Sequence, residues 1–590
     1  MSASEGTATG RLADWIAAVR YEDIPERVLA LARGQILSVL ASLFAGSRTA
    51  AASAVRRAVL RRGAPGPASV LPTGERVSVS DAILANAASS VALDHDDYLF
   101  LGHTGHTAVL ASWALAEAGG LPARDVLLAQ VVANEIGGRV AASTLLGPQN
   151  GQTWSFLHAA AGAALASKLL GLSARETAHA LGIALYQPTF TLMPGFMGSD
   201  AKALTAAVPA AAGVEAALLA REGMTGPLDV LEHPTGGFWS FFAYAPLPHM
   251  LTGLSRAWIT DTLAFKKYPG CAYIDTAMDA LFEVLDEFRR DRGRPLAPDD
   301  VLAVEVRASL LTVEMDNLSA DSRCLERGTR GRSEEHGTRG ALSPERVNFS
   351  IPASAAIAIL AGRLSGAEFE PDRLASHAEE IRFLAQRVTL RHDWDMTLEV
   401  ADAFDAALGE NGIAAALSPR DLLAVLLGYR SRMGGHKRTP LRWGSLLARH
   451  PRALLSRAFR AAGRRRLFLR KGGDLGAVDF TRFRMVFPAS VELVTRDGKR
   501  YAARRDIPDG APGGPDRLGT AAAKFREEAG RFLSPERVER ALARVLRFES
   551  SSVAELAREI ALPNSHPDLG YHPSEYPGQF EGSRTMDADA

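Results

Sequence analysis

Apolar residues recur at intervals of three and four from residue 11 to residue 257, and this periodicity constrains the fold more than any other feature of the chain. Such spacing places apolar side chains on one face of an α-helix. Alanine is abundant in these segments, which favours helix and close interhelical packing, while glycine and proline mark the breaks. No part of this half has the strict alternation of a half-buried strand. Residues 1–258 are therefore predicted to form a large all-α helical domain.

The periodicity changes near Trp258. Alternating or β-branched runs follow in WITDTLAFKKY, VLAVEVRASLLTVEM, QRVTLRHDW and PASVELVTRDGKRYAARRDIP. The last run reads as a hairpin with its turn at Asp497-Gly498. Helical patterns between these runs predict a smaller α+β domain over residues 259–515, and the pattern returns to helix at 516–563. Residues 564–590, rich in Pro, Gly, Ser and acidic residues, are predicted to be a disordered tail.

Composition indicates a large globular protein. Of 590 residues, 47% are apolar and 23% charged, and the zero formal net charge argues against wholesale attraction to nucleic acid or membrane. Cys271 and Cys324 are too few for a disulfide framework. The N-terminus lacks the pattern of a secretory signal, and no uninterrupted apolar run approaches the ~20 residues of a membrane span. We expect a cytoplasmic protein with no nucleic-acid or membrane partner.

One basic insertion, at about residues 405–483, departs from this neutral balance. Residues 430–471 contain 14 Lys or Arg and no Asp or Glu. A nucleic-acid or anionic-surface patch is one interpretation, with Trp443 and Phe468 available for stacking. In the other, the arginines solvate an inserted helical pair and face acidic partner surfaces. We favour the second, because the chain has no recognisable nucleic-acid module.

Chemistry-bearing side chains are most concentrated in residues 91–119, VALDHDDYLFLGHTGHTAVLASWALAEAG. Three carboxylates and three imidazoles fall within 13 residues: Asp94, Asp96, Asp97, His95, His103 and His106. Ionisable groups rarely lie between apolar helices unless they are paired or used, because burying unpaired charge is costly. Gly102 and Gly105 favour a loop that carries His103 and His106. The alternative is a solvated, acidic helix end with capping histidines.

The segment LDHDDYLFLGHTGHT resembles the LDxDD…HP segment of the MmgE/PrpD family, which includes 2-methylcitrate dehydratase, cis-aconitate decarboxylase and iminodisuccinate epimerase. Four further blocks follow in the order of that family, at residues 162–185, 201–227, 265–280 and 348–362. The resemblance covers roughly residues 10–400 and resumes near 484. It implies that the α+β domain is a lid, that residues 516–563 complete the helical domain, and that the protein is a homodimer.

The resemblance also implies a site. Asp94 matches the first Asp of LDxDD, His106 the loop His, Lys202 the Lys before the long helix, and Lys266 the Lys of the Lys-x-Tyr-Pro block. We therefore predict an interdomain site without metal or cofactor. Its catalytic residues are Asp94, His106 and Lys202, and its substrate-binding residues are Lys266, His103, His158 and Asp275.

These groups suit elimination from a small carboxylic acid. Removing water from a β-hydroxy acid requires loss of the α-proton, protonation of the leaving hydroxyl, and stabilisation of charge on the carboxylate. In this interpretation an Asp94–His106 contact orients the imidazole for proton transfer, and Lys202 and Lys266 hold the carboxylate. The predicted function is a cofactor-independent lyase, first a dehydratase of a hydroxy-carboxylic acid. A decarboxylase or epimerase of a related acid is the alternative.

Several positions depart from the family pattern. Gln152 stands near the place of a family His, with His158 about one turn later. Asp275 and Thr205 replace histidines, and Ala353 replaces a tyrosine. A site with fewer imidazoles and one more carboxylate is not expected to take citrate-like tricarboxylates. A less acidic hydroxy acid, from specialised metabolism, fits better.

Two other classes stay open. The segment 93–97 with His103 and His106 could be the His-Asp core of a metal-dependent phosphohydrolase, since imidazole and carboxylate suit several divalent metals. Against this, His95 is the first histidine of the chain, so an upstream ligand is absent. The second class is a non-catalytic relative that acts as a binding or scaffold protein. Metal analysis tests the first class, and proton exchange at a substrate α-carbon tests the second.

Overall fold

A computed structural model describes residues 6–562, except 64, 149–150, 322–341 and most of 433–472. The predicted tail, Cys324, Trp443 and Phe468 lie outside the described residues.

The first half of the chain is dominated by α-helices, as the periodicity predicts. Several begin at Ser or Thr residues whose hydroxyl oxygen accepts a hydrogen bond from a backbone N–H of the first turn, including Thr7, Ser78 and Ser173. The helices are α1 (Ala8–Ala18), α2 (Glu26–Gly46), α3 (Ala50–Arg61), α4 (Val79–Val91), α5 (Gly105–Ala108), α6 (Leu110–Gly119), α7 (Ala123–Ala142), α8 (Phe156–Leu169), α9 (Ala174–Leu185), α10 (Met193–Gly198), α11 (Leu204–Arg221) and α12 (Phe238–Phe242).

Short strands correct the prediction that residues 1–258 are all helical. Strands β1 (Ala68–Ser69) and β2 (Arg76–Val77) form a small antiparallel pair. Strand β3 (Asp97–Leu99) pairs antiparallel with β4 (Leu263–Phe265). Strands of two or three residues are too short to give an alternating pattern, and β3 depends on a partner from beyond Trp258. The β3–β4 pair joins residues 94–97, called the acidic segment below, to the start of the second region.

Glycines let the central helices approach closely. Helix α8 packs against α7 and α11, and α11 also packs against α4. Gly162 of α8 lies against Gly213 of α11. A Cβ added to Gly213 would lie 2.2 Å from the carbonyl oxygen of Ala159. This close contact holds α8 against α11, the helix that begins directly after the turn carrying Lys202.

The second region contains a four-stranded sheet. Its strands are β5 (Val301–Ala308), β6 (Val388–His392), β7 (Ala489–Thr495) and β8 (Arg500–Arg505). Their order is β6-β5-β7-β8, with β5 and β6 parallel and the other pairs antiparallel. The predicted hairpin turn is confirmed, since β7 pairs with β8 and Gly498 takes a positive φ of 86°. Its helices are α13 (Asp275–Arg292), α14 (Leu310–Asp321), α15 (Pro344–Val347), α16 (Ile351–Ala361), α17 (Pro371–Ser376), α18 (Ala378–Ala385), α19 (Trp394–Leu408), α20 (Ile413–Ala416) and α21 (Pro419–Arg432).

The described part of the basic insertion contacts its own chain. Arg464 pairs with Asp405 of α19, and Arg465 donates to the carbonyl oxygen of Ala416 at 3.0 Å. These two contacts agree with arginines that solvate an inserted helical segment.

After the sheet the chain returns to helix with α22 (Arg517–Ala529), α23 (Pro535–Leu546) and α24 (Val553–Ile560). Helix α22 packs along α2, where Phe525 meets Phe44 edge to face. Buried apolar residues of both regions form one continuous core. The division into a helical domain and a lid domain stays a prediction.

Two helical segments, Glu26–Gly46 and Asp200–Arg221, are long and apolar enough to cross a membrane by length and composition. Within the protein, 89% and 61% of their apolar windows are buried, as in core helices, which pass the same test.

Candidate functional site

The acidic segment follows the C-terminus of α4 through a strained backbone. Asp94 takes a left-handed conformation with φ of 57°, which is uncommon for a residue other than glycine. Beyond β3, Phe100 and Leu101 also have positive φ, and Leu99 and Gly102 exchange two backbone hydrogen bonds across them. This is the hydrogen-bonding pattern of a two-residue hairpin turn. Backbone strain of this kind clusters at functional sites.

Lys266 joins two of the aspartates. Its backbone N–H donates to the carbonyl of Asp96 at 3.1 Å, so the two residues face each other just beyond the β3–β4 pair. Its ammonium donates to Asp96 Oδ1 at 2.8 Å, to the carbonyl of Asp94 at 2.7 Å and to Asp94 Oδ1 at 3.4 Å. All three residues are buried. Burial disfavours the ammonium, but the two carboxylates outweigh it and raise the pKa of Lys266.

Asp96 is the centre of the polar cluster. Its Oδ2 lies 2.9 Å from His103 Nδ1 and 2.9 Å from His106 Nε2. Burial favours the neutral acid, yet Lys266 and the two imidazoles hold the pKa of Asp96 well below its usual range. The predicted contact between Asp94 and His106 is therefore wrong, because His106 contacts Asp96 instead. The left-handed backbone at Asp94 turns its carboxylate towards the lysines instead.

His103 and His106 differ in how many of their ring nitrogens form hydrogen bonds within the described structure. Because a carboxylate only accepts, both rings donate to Asp96. The Nδ1 of His106 lies 2.9 Å from the Ser90 hydroxyl, so both of its nitrogens are engaged, whereas the described residues give Nε2 of His103 no hydrogen bond. His103 lies in the loop, as predicted, while His106 belongs to α5. At 8%, the His103 side chain is also more exposed than that of His106.

Lys202 approaches the other side of Asp94. It comes from the 3₁₀ turn Asp200–Ala203 that precedes α11, and its ammonium lies 3.5 Å from Asp94 Oδ2. The same ammonium stands 4.2 Å from the ring centroid of Phe349 and 5.6 Å from that of Phe196. Asp94 is therefore flanked by two buried lysines, one from each side of Trp258 in the sequence.

The remaining predicted site residues lie beside this cluster. His158 Nδ1 lies 2.8 Å from the Thr107 hydroxyl, and its ring centroid is 6.0 Å from that of His106. Burial, followed by the electrostatic effect of His106, lowers the pKa of His158 well below its usual value, which favours the neutral ring. Asp275, the first residue of α13, is buried, and its carboxylate forms no hydrogen bond with the other predicted residues in the described structure. Burial and Asp279 raise its pKa.

A buried amide network positions Asp97, a residue without a predicted role. Gln35 donates to Asp97 Oδ2 at 2.8 Å and accepts from Asn134 at 2.8 Å. Burial and the neighbouring Asp96 raise the pKa of Asp97 to about 6. A Cβ on Gly105 would lie 1.8 Å from Asp97 Oδ1, so only glycine fits there.

Sequence reasoning also missed Lys524 and Glu528, which lie on the buried face of α22 with Ala521 and Phe525. Two ionisable residues at positions spaced like an apolar stripe are the signal that could have found them.

A metal site is disfavoured by the position of His95. Asp94, Asp96 and His103 offer three ligand atoms within 4.8 Å of one another. His95 is not in that group, and its Nε2 lies 3.1 Å from the carbonyl oxygen of Lys267. The Lys266 ammonium already contacts both carboxylates, so a divalent cation would compete with its charge.

Comparison with known proteins relates the N-terminal part of this chain to a known family. Residues 10–249 match the family model of the MmgE/PrpD N-terminal domain. The chain carries the N-terminal domain of the MmgE/PrpD family. It is 29% identical over 299 residues to a cis-aconitate decarboxylase of Aspergillus terreus, covering 48% of this chain and 60% of that protein. It is 29% identical over 285 residues to the cis-aconitate decarboxylase-like protein oryM of Aspergillus oryzae, covering 45% and 59%.

The MmgE/PrpD match confirms the predicted family but covers only part of the site. The chain spans about three fifths of the length of the curated relatives it matches. Asp94, His103, His106 and Lys202 lie within residues 10–249, whereas Lys266, Asp275 and Lys524 lie beyond them. The proposed roles of Lys266 and Asp275 rest on the motif resemblance and on geometry, and that of Lys524 rests on geometry alone.

Proposed function

We propose that this chain, with its MmgE/PrpD N-terminal domain, is a cofactor-independent lyase of a small carboxylic acid. The observation that carries the proposal is the bridging of Lys266, His103 and His106 by buried Asp96, beside the Asp94–Lys202 pair. This arrangement combines a proton carrier of fixed tautomer with cations that can hold an anion. Those are the two requirements for forming a carbanion or enolate next to a carboxylate.

His103 is the proposed proton carrier, in place of the predicted His106. Donation from Nδ1 to Asp96 keeps the ring proton on that nitrogen, so Nε2 of the neutral ring carries the lone pair. The carboxylate of Asp96 then stabilises the imidazolium after proton uptake. His106, bonded at both nitrogens, orients Asp96.

The two lysines have different proposed roles. Lys266 donates three times to Asp94 and Asp96, so it fixes the carboxylates rather than the substrate. Lys202, held against Phe349, is the proposed partner of the substrate carboxylate and of the developing negative charge. Asp94 positions its ammonium.

Dehydration is the first proposed reaction and decarboxylation the second. In dehydration His103 takes the α-proton, the C–O bond breaks, and the leaving hydroxyl takes that proton from protonated His103 and departs as water. In decarboxylation the C–C bond to the carboxylate breaks, CO₂ leaves, and the carbanion takes a proton from protonated His103. The names of the relatives favour the second reaction. The positions Thr205, Asp275 and Ala353 support a substrate less acidic than a citrate-like tricarboxylate.

The assembly remains part of the proposal. We propose a helical domain of residues ~10–257 and 516–562 under a lid of residues 259–515.

We also propose a homodimer that forms through the helical domain. One face of α11 supports the dimer, because Leu204, Val208 and Leu219 are 39%, 44% and 44% exposed. Light scattering should give twice the chain mass, and Val208→Asp should reduce it to one chain. A monomeric parent at micromolar concentration would contradict the dimer.

A substrate screen tests the proposed function. The purified protein is incubated with hydroxy and unsaturated di- and tricarboxylic acids in D₂O, and products are analysed by mass spectrometry. Loss of water or of CO₂ from one acid, dependent on His103, supports the lyase. Deuterium at the α-carbon without loss of a group indicates an epimerase. No change in any acid favours a binding protein.

A further inference from the structure

Lys524 brings another buried cation to the acidic segment, from near the C-terminal end of the described chain. It lies on α22, and its ammonium donates to the carbonyl of His95 at 2.6 Å, to the carbonyl of Asp96 at 3.2 Å and to Ser38 Oγ at 2.7 Å. The Ser38 hydroxyl in turn lies 3.2 Å from the Asp96 carbonyl. One side chain thus holds two consecutive peptide groups between Asp94 and Asp97.

A buried ammonium in this setting is costly for the fold. Lys524 is 4% exposed, and the three hydrogen bonds that its ammonium donates within the described residues go to two carbonyls and a hydroxyl rather than to a carboxylate. An apolar side chain of similar length would fill the same space without the desolvation penalty. Burial lowers the pKa of Lys524 to about 7, although Asp96 and Asp97 act against this. The role of the buried ammonium is therefore to donate hydrogen bonds to its three acceptors, not to fill space in the core.

We infer that Lys524 is a positioning residue of the proposed lyase site. By fixing the carbonyls of His95 and Asp96, it sets the backbone that directs Asp94 towards Lys202 and Asp96 towards His103. Nothing in the family match covers it, because that match ends at residue 249. The inference rests on the proposed function for its catalytic consequence, while its structural consequence can be measured without any substrate.

The test compares Lys524→Met with the matched variant Lys168→Met. Lys168 also donates to backbone carbonyls, those of Ile16 and Ala17 at 3.0 and 3.1 Å. It lies ten residues after His158 on α8, about 15 Å further along the helix. Ser38→Ala is a milder variant that removes one acceptor and keeps the ammonium.

Hydrogen–deuterium exchange of residues 94–104 is the first measurement. Exchange should become at least about tenfold faster in Lys524→Met and less so in Ser38→Ala, with no change in Lys168→Met. The second measurement is turnover of the acid found in the screen. Lys524→Met should lower kcat by about 10²-fold with little change in KM, because displaced groups lose alignment rather than binding. The acid limb of its pH profile should move to higher pH, since a cation near Asp96 is lost.

The outcomes separate the two proposals. Faster exchange with no activity in the parent would support the positioning of the segment and overturn the lyase. Unchanged exchange in folded Lys524→Met and Ser38→Ala would overturn the inference whatever the activity. An equal loss of kcat in Lys168→Met would also overturn it, because the effect would then be general destabilisation.

Discussion

Replacing Asp96 by Asn should be the most damaging change in the site that preserves side-chain shape. The variant removes the charge that meets Lys266 at 2.8 Å and the two imidazoles at 2.9 Å. Lys266 would retain one carboxylate, that of Asp94 at 3.4 Å, and the Asp94 carbonyl at 2.7 Å. Removing one partner of a buried ion pair costs about 3–5 kcal/mol, so the free energy of unfolding should fall by that amount.

The loss should depend on pH in a defined direction. The folded-state pKa of Asp96 lies well below that of the unfolded chain, because Lys266 and the imidazoles outweigh burial. Its contribution is therefore present above the unfolded pKa and is lost as pH falls through the folded one. The difference between parent and Asp96→Asn should be largest near neutral pH and shrink in acid.

Urea unfolding at pH 7 and at lower pH is the assay, with Asp300→Asn as the control. Asp300 also pairs with an arginine, Arg294, but at the surface, where an ion pair contributes little. The control should unfold like the parent. A loss below about 1 kcal/mol for Asp96→Asn at neutral pH would contradict this expectation, because Asp96 would then behave as a surface carboxylate.

Three further outcomes are expected from the same geometry. Gly105→Ala should lower the free energy of unfolding by about 1–3 kcal/mol, since the new methyl would overlap Asp97 Oδ1. Gly195→Ala should not, because the nearest atom to its new methyl would be Ala201 Cβ at 4.0 Å, and denaturation of both variants checks this. Burial raises the pKa of Glu528 from 4.5 to about 8. The stability that its protonated form contributes is therefore present below pH 4.5 and is lost as the pH rises through about 8. Thermal unfolding of Glu528→Gln should lack this pH dependence. Activity should survive dialysis against a chelator, and a loss restored by Zn²⁺ or Mg²⁺ would instead favour the metal-dependent class.

Local patterns predicted the elements of the fold better than their contacts. The helical period anticipated α2, α4, α7 and α11, and alternation anticipated the β7–β8 hairpin, because both follow from side-chain burial along one segment. The family motifs also singled out Asp94, Lys202 and Lys266, and in the structure both ammonium groups lie close to the Asp94 carboxylate. These successes rest on spacing or resemblance.

The pairing within the site was not readable in the same way. Asp94 and Asp96 are two residues apart, and only the left-handed turn at Asp94 decides which of them faces the imidazoles. Lys524 meets the carbonyl of His95 across 429 positions of sequence, a contact that depends on how α22 packs on α2. Periodicity within a helix carries no information about such a partner.

Turnover of His103→Ala and Lys202→Ala is the decisive measurement for the proposed site. Each variant is assayed against the acid that the parent consumes, after its folding has been confirmed, with surface His233→Ala as the control. We expect His103→Ala to lower turnover by about 10²–10⁴-fold, the range typical of a general acid–base group. Lys202→Ala should weaken binding as well as turnover, because the substrate carboxylate loses its charged partner. Parental rates in both variants would contradict the proposed site and the mechanism built on it.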